Sequence, residues 1–89
     1  MKFKVSYYDF DTDKYVTKDC DWMEFKDGDF LFRPVDNPVK SYKSVSISHP
    51  KVTIYQDRDN MKIIVTGYQS MRDGGCWLTE TIIENVRED

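Results

Sequence analysis

Residues 51–68, KVTIYQDRDNMKIIVTGY, limit what this chain can fold into more than any other stretch. Apolar and polar residues alternate on both sides of a polar loop at 57–60, and a period of two puts alternate side chains on opposite faces of a strand. The segment therefore predicts a β-hairpin whose loop is centred on residues 58 and 59. Two cross-strand pairs then share one apolar face, Val52 with Val65 and Ile54 with Ile63.

A second hairpin is predicted at residues 22–33, WMEFKDGDFLFR. Asp27 and Gly28 are typical of a two-residue turn in which both residues need a positive φ. That turn sets the register and places Phe25 opposite Phe30. One face then carries the predicted core residues Met23, Phe25, Phe30 and Phe32. The other face brings Trp22 opposite Arg33, where a cation–π contact is expected.

Shorter alternating segments predict the remaining strands. Residues 2–8 put Phe3, Val5 and Tyr7 on one face, residues 14–18 form a second strand, and residues 42–48 point Val45 and Ile47 inward. The apolar positions change parity at His49-Pro50, which predicts a bulge or corner within one bent strand because an extra residue shifts the phase.

Residues 76–86 fit two structures. Their Trp, Thr and Ile residues favour a strand that would extend the sheet beside residues 61–71. Alternatively, Leu78, Ile82 and Val86 recur every four residues, which favours an amphipathic helix.

The expected fold is mainly β, with residues 1–89 in a single domain. The chain has no alanine and only two leucines, so helix is poorly supported, whereas its 15% aromatic residues favour strands. We expect about six or seven antiparallel strands in a small barrel or a strongly bent sheet, with a C-terminal helix as the open alternative.

Neither a catalytic nor a metal site is expected. Asp9, Asp11 and Asp13 match the start of an EF-hand calcium loop, but Lys14 stands where glycine is needed and Cys20 where glutamate is needed. His49 lies in no motif that would pair it with a cysteine, and the chain lacks a phosphate-binding or nucleophile motif. We therefore predict a protein that is not an enzyme and uses no cofactor.

The cellular location is expected to be cytoplasmic. The sequence shows neither a secretory signal nor an apolar run long enough to cross a membrane. Cys20 and Cys76 are accordingly interpreted as reduced thiols.

Acidic residues are concentrated between residues 9 and 29, where eight acids stand against three lysines. If two hairpin loops share one end of a meander, their carboxylates form an acidic rim. Exposed aromatic residues on a small sheet are typical anchors of a binding surface. The predicted partner-binding residues are Asp11, Asp13, Trp22, Asp27, Asp29, Tyr55 and Trp77.

These features favour a small protein-binding module or inhibitor that docks on a basic protein. The lack of alanine with frequent Lys, Asp, Tyr and Ile is typical of an AT-rich genome, which suggests an accessory protein of a phage or mobile element acting on a host protein. The alternative is an OB-like or SH3-like domain that stacks single-stranded nucleic acid on its aromatic residues. The net charge of −3 makes nucleic acid the less favoured partner. Several aromatic residues could instead pack in a second layer or a homodimer interface.

Overall fold

The computed structural model describes residues 2–36 and 41–87, with side chains as far as residue 84. Seven antiparallel strands form one sheet in the order β4-β3-β2-β1-β7-β6-β5. The strands are β1 (Lys2–Asp9), β2 (Lys14–Lys26), β3 (Asp29–Pro34), β4 (Lys43–Ser46), β5 (Ser48–Asp57), β6 (Asn60–Ser70) and β7 (Cys76–Arg87). The prediction of a mainly β fold is confirmed, and no helix occurs among the described residues.

The helical alternative for residues 76–86 is wrong, because this segment is the strand β7. β7 pairs with β1 on one side and with β6 on the other. Thr81 and Ile83 are buried on its inner face, whereas Leu78 and Ile82 lie on the outer face with Glu80 and Glu84. β6 pairs with residues 76–83 and β1 with residues 82–87, so long-range ladders along the whole of β7 outweigh the helical spacing of its apolar residues.

Both predicted hairpins have the expected registers. Ile54 pairs with Ile63 in β5 and β6, and Phe25 pairs with Phe30 in β2 and β3. Asp27 and Gly28 adopt φ values of 52° and 84°, as their turn requires. The predicted irregularity at His49-Pro50 is also present, as a register shift between Ser48 and Lys51. The prediction of one bent strand is wrong, because the segment divides at Ile47 into β4 and β5, which lie at opposite ends of the sheet.

Residues 14–26 form one strand of 13 residues instead of the two short strands expected from the sequence. β2 continues through Cys20, which is buried, and its pairing with β3 shifts register between Cys20 and Trp22. The loop at 10–13 and the Asp27-Gly28 turn therefore lie at opposite ends of β2, about 40 Å apart at ~3.3 Å per residue.

The sheet buries one of its own faces. Its core residues come from all the strands except β5: Phe3, Val5, Tyr7, Cys20, Phe30, Phe32, Val45, Ile63, Val65 and Ile83, together with Ile47 between β4 and β5. Since the described residues supply no second layer, the sheet must curve until its inner face meets itself. β4 consequently contacts β6 although four strands lie between them in the sheet order.

Ile47 joins the two edges of the sheet, since β4 and β5 lie on either side of it in the chain. Its N–H donates to the Gly28 carbonyl oxygen at 3.1 Å, and its side chain lies over Gly67 of β6. The strand order has β4 and β5 as its two ends, with no ladder between them. The barrel alternative is therefore wrong, and the chain forms a curved, open sheet.

Three of the predicted core residues are substantially exposed. Val52, Ile54 and Phe25 are 51%, 60% and 48% exposed, although their cross-strand partners are buried. Val52 and Ile54 lie on an edge strand, and Phe25 lies in the part of β2 beyond Cys20, where no pairing with β1 occurs, so each has a paired strand on one side only. On the outer face, Arg33 Nε donates to Asp21 at 2.8 Å, and the Trp22 ring lies 6.0 Å from that of Tyr42.

Replacing Gly67 with alanine should destabilise the fold by about 1–3 kcal/mol, because overpacking a tight contact is costly. A Cβ atom there would overlap the Cγ2 methyl of Ile47 and lie 2.9 Å from the Ser48 carbonyl oxygen. Gly75→Ala is the matched control, since a Cβ atom there would meet only side-chain atoms of Asp73 and Trp77, at 3.3 Å or more.

Urea unfolding of both variants measures this difference. Adding Ile47→Ala to Gly67→Ala should cost less than the sum of the two single changes, because the alanine removes the overlapping methyl. Equal stability of the Gly67→Ala variant and the parent would contradict the proposed role of this contact.

Candidate docking surface on the outer face of the sheet

The outer face of the central strands carries a group of large exposed side chains. Tyr15 of β2 lies opposite Tyr8 of β1, with ring centroids 5.6 Å apart and an interplanar angle of 81°. Leu78 of β7 lies opposite Tyr68 of β6. Tyr15, Tyr68 and Leu78 are 56%, 48% and 64% exposed. Trp77 alternates to the other face of β7 but lines a cavity with Tyr15 and Leu78 at the end of the strand. Tyr8, Tyr15, Tyr68 and Leu78, together with Trp77, are called the aromatic patch below.

This face is exposed because the curvature of the sheet uses the opposite face for the core. Beside the patch, Ile64 and Ile82 form a half-buried cross-strand pair. The hydroxyls of Ser6 and Thr17 hydrogen-bond to each other at 2.8 Å. Apart from Glu80, the middle of the outer face is therefore apolar or hydroxyl-bearing, which lowers the cost of covering it with another protein.

A surface cavity of about 290 Å³ lies at one end of the patch. It is lined by Tyr8, Asp13, Tyr15, Met71, Asp73, Trp77, Leu78 and Thr79. Arg72 Nη1 donates to the Asp11 carbonyl oxygen at 3.2 Å, which links the loop after β6 to the loop after β1. The end of the patch thus combines aromatic rings with nearby carboxylates.

The structure brings together only some of the predicted partner-binding residues. Asp13 and Trp77 line the same cavity. Asp27 and Asp29 lie at the opposite end of β2, so the expected single acidic rim does not form. The reason is the continuity of β2, which puts successive hairpin turns at opposite ends.

The other predicted residues lie apart from one another. Tyr55 is exposed on β5 opposite Lys62. Trp22 lies beside Tyr42. Asp11 lies 3.9 Å from Lys43 Nζ.

Tyr15 and Leu78 belong to the patch but were not among the predicted residues. A four-residue loop at 10–13 places Asp9 opposite Lys14 and therefore Tyr8 opposite Tyr15. Symmetrical pairing across the loop at 71–75 similarly places Tyr68 opposite Leu78. Both pairs follow from the loop positions once each flanking segment is assigned as a strand.

A second cavity, of about 440 Å³, lies near Tyr7, Asp9, Asp11 and Lys43. Asp9 uses its carboxylate to hold its own loop, accepting hydrogen bonds from the Asp11 N–H at 3.3 Å and the Thr12 hydroxyl at 2.9 Å. Burial, with a smaller contribution from Asp9, raises the pKa of the Tyr7 phenol. Tyr7 therefore stays protonated at neutral pH and is a poor general base.

The two cysteines differ sharply in environment. Burial, followed by the nearby Asp21 carboxylate, raises the pKa of the Cys20 thiol to about 12. Cys76 is exposed, with its Sγ 3.9 Å from the Ser70 hydroxyl oxygen. Cys20 is thus unsuited to act as a nucleophile, since the thiolate is the reactive form.

Within residues 2–36 and 41–87, no cluster of three or more His, Cys, Asp or Glu side chains is placed to hold a metal ion. Nor does this part of the chain form a helix with the length and apolarity needed to span a membrane. Comparison with protein-family models found no matching family, and comparisons with curated proteins and with solved structures found no match either.

The loop after β1 should not bind calcium with useful affinity. The Asp9 carboxylate already accepts two hydrogen bonds within the loop and lies 3.8 Å from Lys43 Nζ. Calcium would have to displace these contacts while finding too few further oxygen ligands. Isothermal titration should show no saturable heat with calcium below about 1 mM, and micromolar binding would contradict this prediction.

Alkylation should distinguish the two thiols. In the native protein at about pH 8, iodoacetamide should modify Cys76 and leave Cys20 unreacted, because the Cys20 thiol is buried and its pKa is raised. Intact mass spectrometry should show one added group in the native state and two after denaturation. Cys76→Ser is the control and should take up none while folded.

Proposed function

We propose that this protein is a non-enzymatic protein-binding module, or an inhibitor of the protein it binds, and that its docking surface is the aromatic patch. The observation that carries the proposal is the clustering of Tyr15, Tyr68 and Leu78, each about half exposed or more, on one face of the central strands. Contiguous apolar side chains of this size on a protein surface are a recognised mark of an interaction site. Tyrosine and tryptophan are also enriched among the residues that dominate binding energy.

The preferred partner has a surface that is both apolar and basic. Asp13 and Asp73 line the cavity at the end of the patch, and Glu80 lies between Leu78 and Ile82 on the outer face. Carboxylates around an apolar centre would steer a basic partner toward it and speed association more than they increase affinity. Asp27 and Asp29 lie at the far end of β2 and are excluded from this role.

As the biological setting, we propose a cytoplasmic accessory protein of a phage or mobile element that acts on a host protein. Its support is compositional: the chain lacks alanine and is rich in Lys, Asp, Tyr and Ile. An acidic, compact inhibitor of this kind would suit a host protein with a basic groove.

Single-stranded nucleic acid is the second candidate ligand, because Tyr15, Tyr68 and Trp77 could each stack on a base. Nucleic-acid affinity, however, comes largely from phosphate contacts made by Lys and Arg. The carboxylates of Asp13 and Asp73 at the end of the patch would repel those phosphates. Protein is therefore the favoured partner.

The docking proposal is tested by affinity capture from host extract, followed by direct binding measurements with the purified partner. Tyr15→Ser and Leu78→Ser should each weaken binding by about tenfold or more, as expected for central interface residues. Tyr42→Ser is the matched control, since Tyr42 is equally exposed but lies beside Trp22. Equal weakening by all three changes, or by none, would reject the aromatic patch as the docking surface.

Charge reversal tests the electrostatic part separately. Asp13→Lys with Asp73→Lys should slow association at low salt, whereas Asp27→Lys with Asp29→Lys should have little effect. In parallel, single-stranded DNA and RNA oligonucleotides are titrated at ~0.15 M salt. A submicromolar dissociation constant there would favour the nucleic-acid function over the protein-binding one.

A further inference from the structure

Among the described residues, β4 and β5 are the two end strands of the sheet, and they differ in what lies against them. β4 contacts β6, and the adjoining Ile47 lies over Gly67. β5 pairs with β6 on one side and ends the strand order on the other. The Ile47 N–H donates to the Gly28 carbonyl oxygen, and Pro50 and Val52 line one groove with the Asp27-Gly28 turn. A long edge strand of this kind is a template for pairing with another chain.

The free backbone groups of β5 follow from its hairpin. Asp57 pairs with Asn60 around a two-residue turn, so the backbone N–H and C=O of Asp57 point toward β6. The pattern alternates along an antiparallel strand, so Lys51 also points its carbonyl toward β6. The 3.5 Å hydrogen bond from the Thr66 hydroxyl to the Lys51 carbonyl agrees with this. The groups that point outward therefore belong to Val52, Ile54 and Gln56.

Both faces of this edge carry exposed apolar side chains. Val52 and Ile54 are 51% and 60% exposed on the inner face, and Tyr55 is 56% exposed on the outer face. Phe25 and Val52 line one surface groove of about 270 Å³ at the start of the edge. β5 carries no charge between Lys51 and Asp57, so residues 52–56 lack the charged side chains that discourage pairing at many edge strands.

We propose that β5 pairs antiparallel with β5 of a second copy of this chain, about a two-fold axis at Ile54. This register places Ile54 opposite Ile54 of the other copy, Val52 opposite Gln56, and Thr53 opposite Tyr55. It also places Lys51 opposite Asp57 twice, once on each side of the axis. This dimerisation does not depend on the function proposed for the aromatic patch, because it uses a different surface.

Two features of β5 select this register over its neighbours. A two-fold axis at Thr53 would pair Gln56 with Pro50, which has no N–H to donate. An axis at Tyr55 would draw Arg58 into the ladder, although its φ of 54° belongs to the hairpin turn. The axis at Ile54 avoids both residues, uses every outward N–H from Val52 to Gln56, and matches opposite charges.

Among the described residues, neither Lys51 nor Asp57 has an opposite charge directly across the ladder from it. Lys51 and Asp57 lie on the same face of β5 but six residues apart, a separation of about 20 Å at ~3.3 Å per residue. Across from them on β6, their partners are Thr66 and Asn60. Opposite charges placed directly across an antiparallel ladder stabilise it. A second copy supplies that arrangement at both ends of the pairing.

The test is sedimentation equilibrium of the full chain from about 10 µM to 1 mM, the range in which a small interface associates. The parent should show a concentration-dependent dimer. Ile54→Lys should abolish it, since two lysines would meet at the axis. Leu78→Lys, on the aromatic patch, is the matched control and should dimerise like the parent. Thermal unfolding of each variant verifies that it folds.

Charge exchange then tests the register. Lys51→Asp should weaken the dimer by about tenfold, since both charge pairs across the axis become repulsive. This substitution leaves Asp57, which flanks the hairpin turn, unchanged. Asp57→Lys should act similarly, and the double exchange should restore affinity to within about threefold of the parent.

Three results would overturn the proposal. The first is a parent chain that stays monomeric at about 1 mM. The second is a dimer that forms in the Ile54→Lys variant but not in the Leu78→Lys variant. The third is a dimer of the doubly exchanged variant that is as weak as the dimers of the two single variants. Binding of another protein along β5 by a chain that remains monomeric would count against it in the same way.

Discussion

The close contact of Ile47 with Gly67 is the constraint on which the rest of the structure depends. A single sheet without a covering layer can bury apolar side chains only by curving onto itself, and its two ends must then approach closely. Gly67 leaves room for that approach because a Cβ atom there would overlap Ile47. The core from Phe3 to Ile83 and the contact of β4 with β6 both follow from this arrangement.

The same curvature divides the surface into parts with different uses. The central strands give their inner face to the core, so the side chains of Tyr15, Tyr68 and Leu78 are left on the convex side. β5 ends the strand order, its residues are almost all exposed, and no described strand pairs with its outer edge. The docking surface and the self-pairing edge that we propose therefore occupy separate parts of the molecule, and a dimer through β5 would carry two copies of the aromatic patch.

Local chemistry made the hairpins predictable from the sequence. A two-residue turn at Asp27-Gly28, or at residues 58–59, determines every pair that follows, so both registers could be derived without knowledge of the fold. The continuity of β2 could not be derived in this way, because its middle, Lys18 to Asp21, resembles a polar connection. Cys20 is buried there only because β1 and β3 flank β2, which is a long-range effect. The predicted acidic rim failed for this reason, and the pairing of β1 with β7 left no local signal either.

That pairing of β1 with β7 has a consequence for how the chain folds as it is made. β1 lies in the middle of the sheet. Val5 can pair with Ile83 only after β7 has been synthesised, and Ile83 is the last of its cross-strand neighbours to be made. Until then the β1–β4 meander has its central edge uncovered, and such edges in incomplete chains are prone to aggregate. The β5–β6 hairpin emerges before its partner β7 as well. The sheet is therefore completed in one late step, when β7 inserts between two preformed halves, and contacts of such long sequence separation make folding slow.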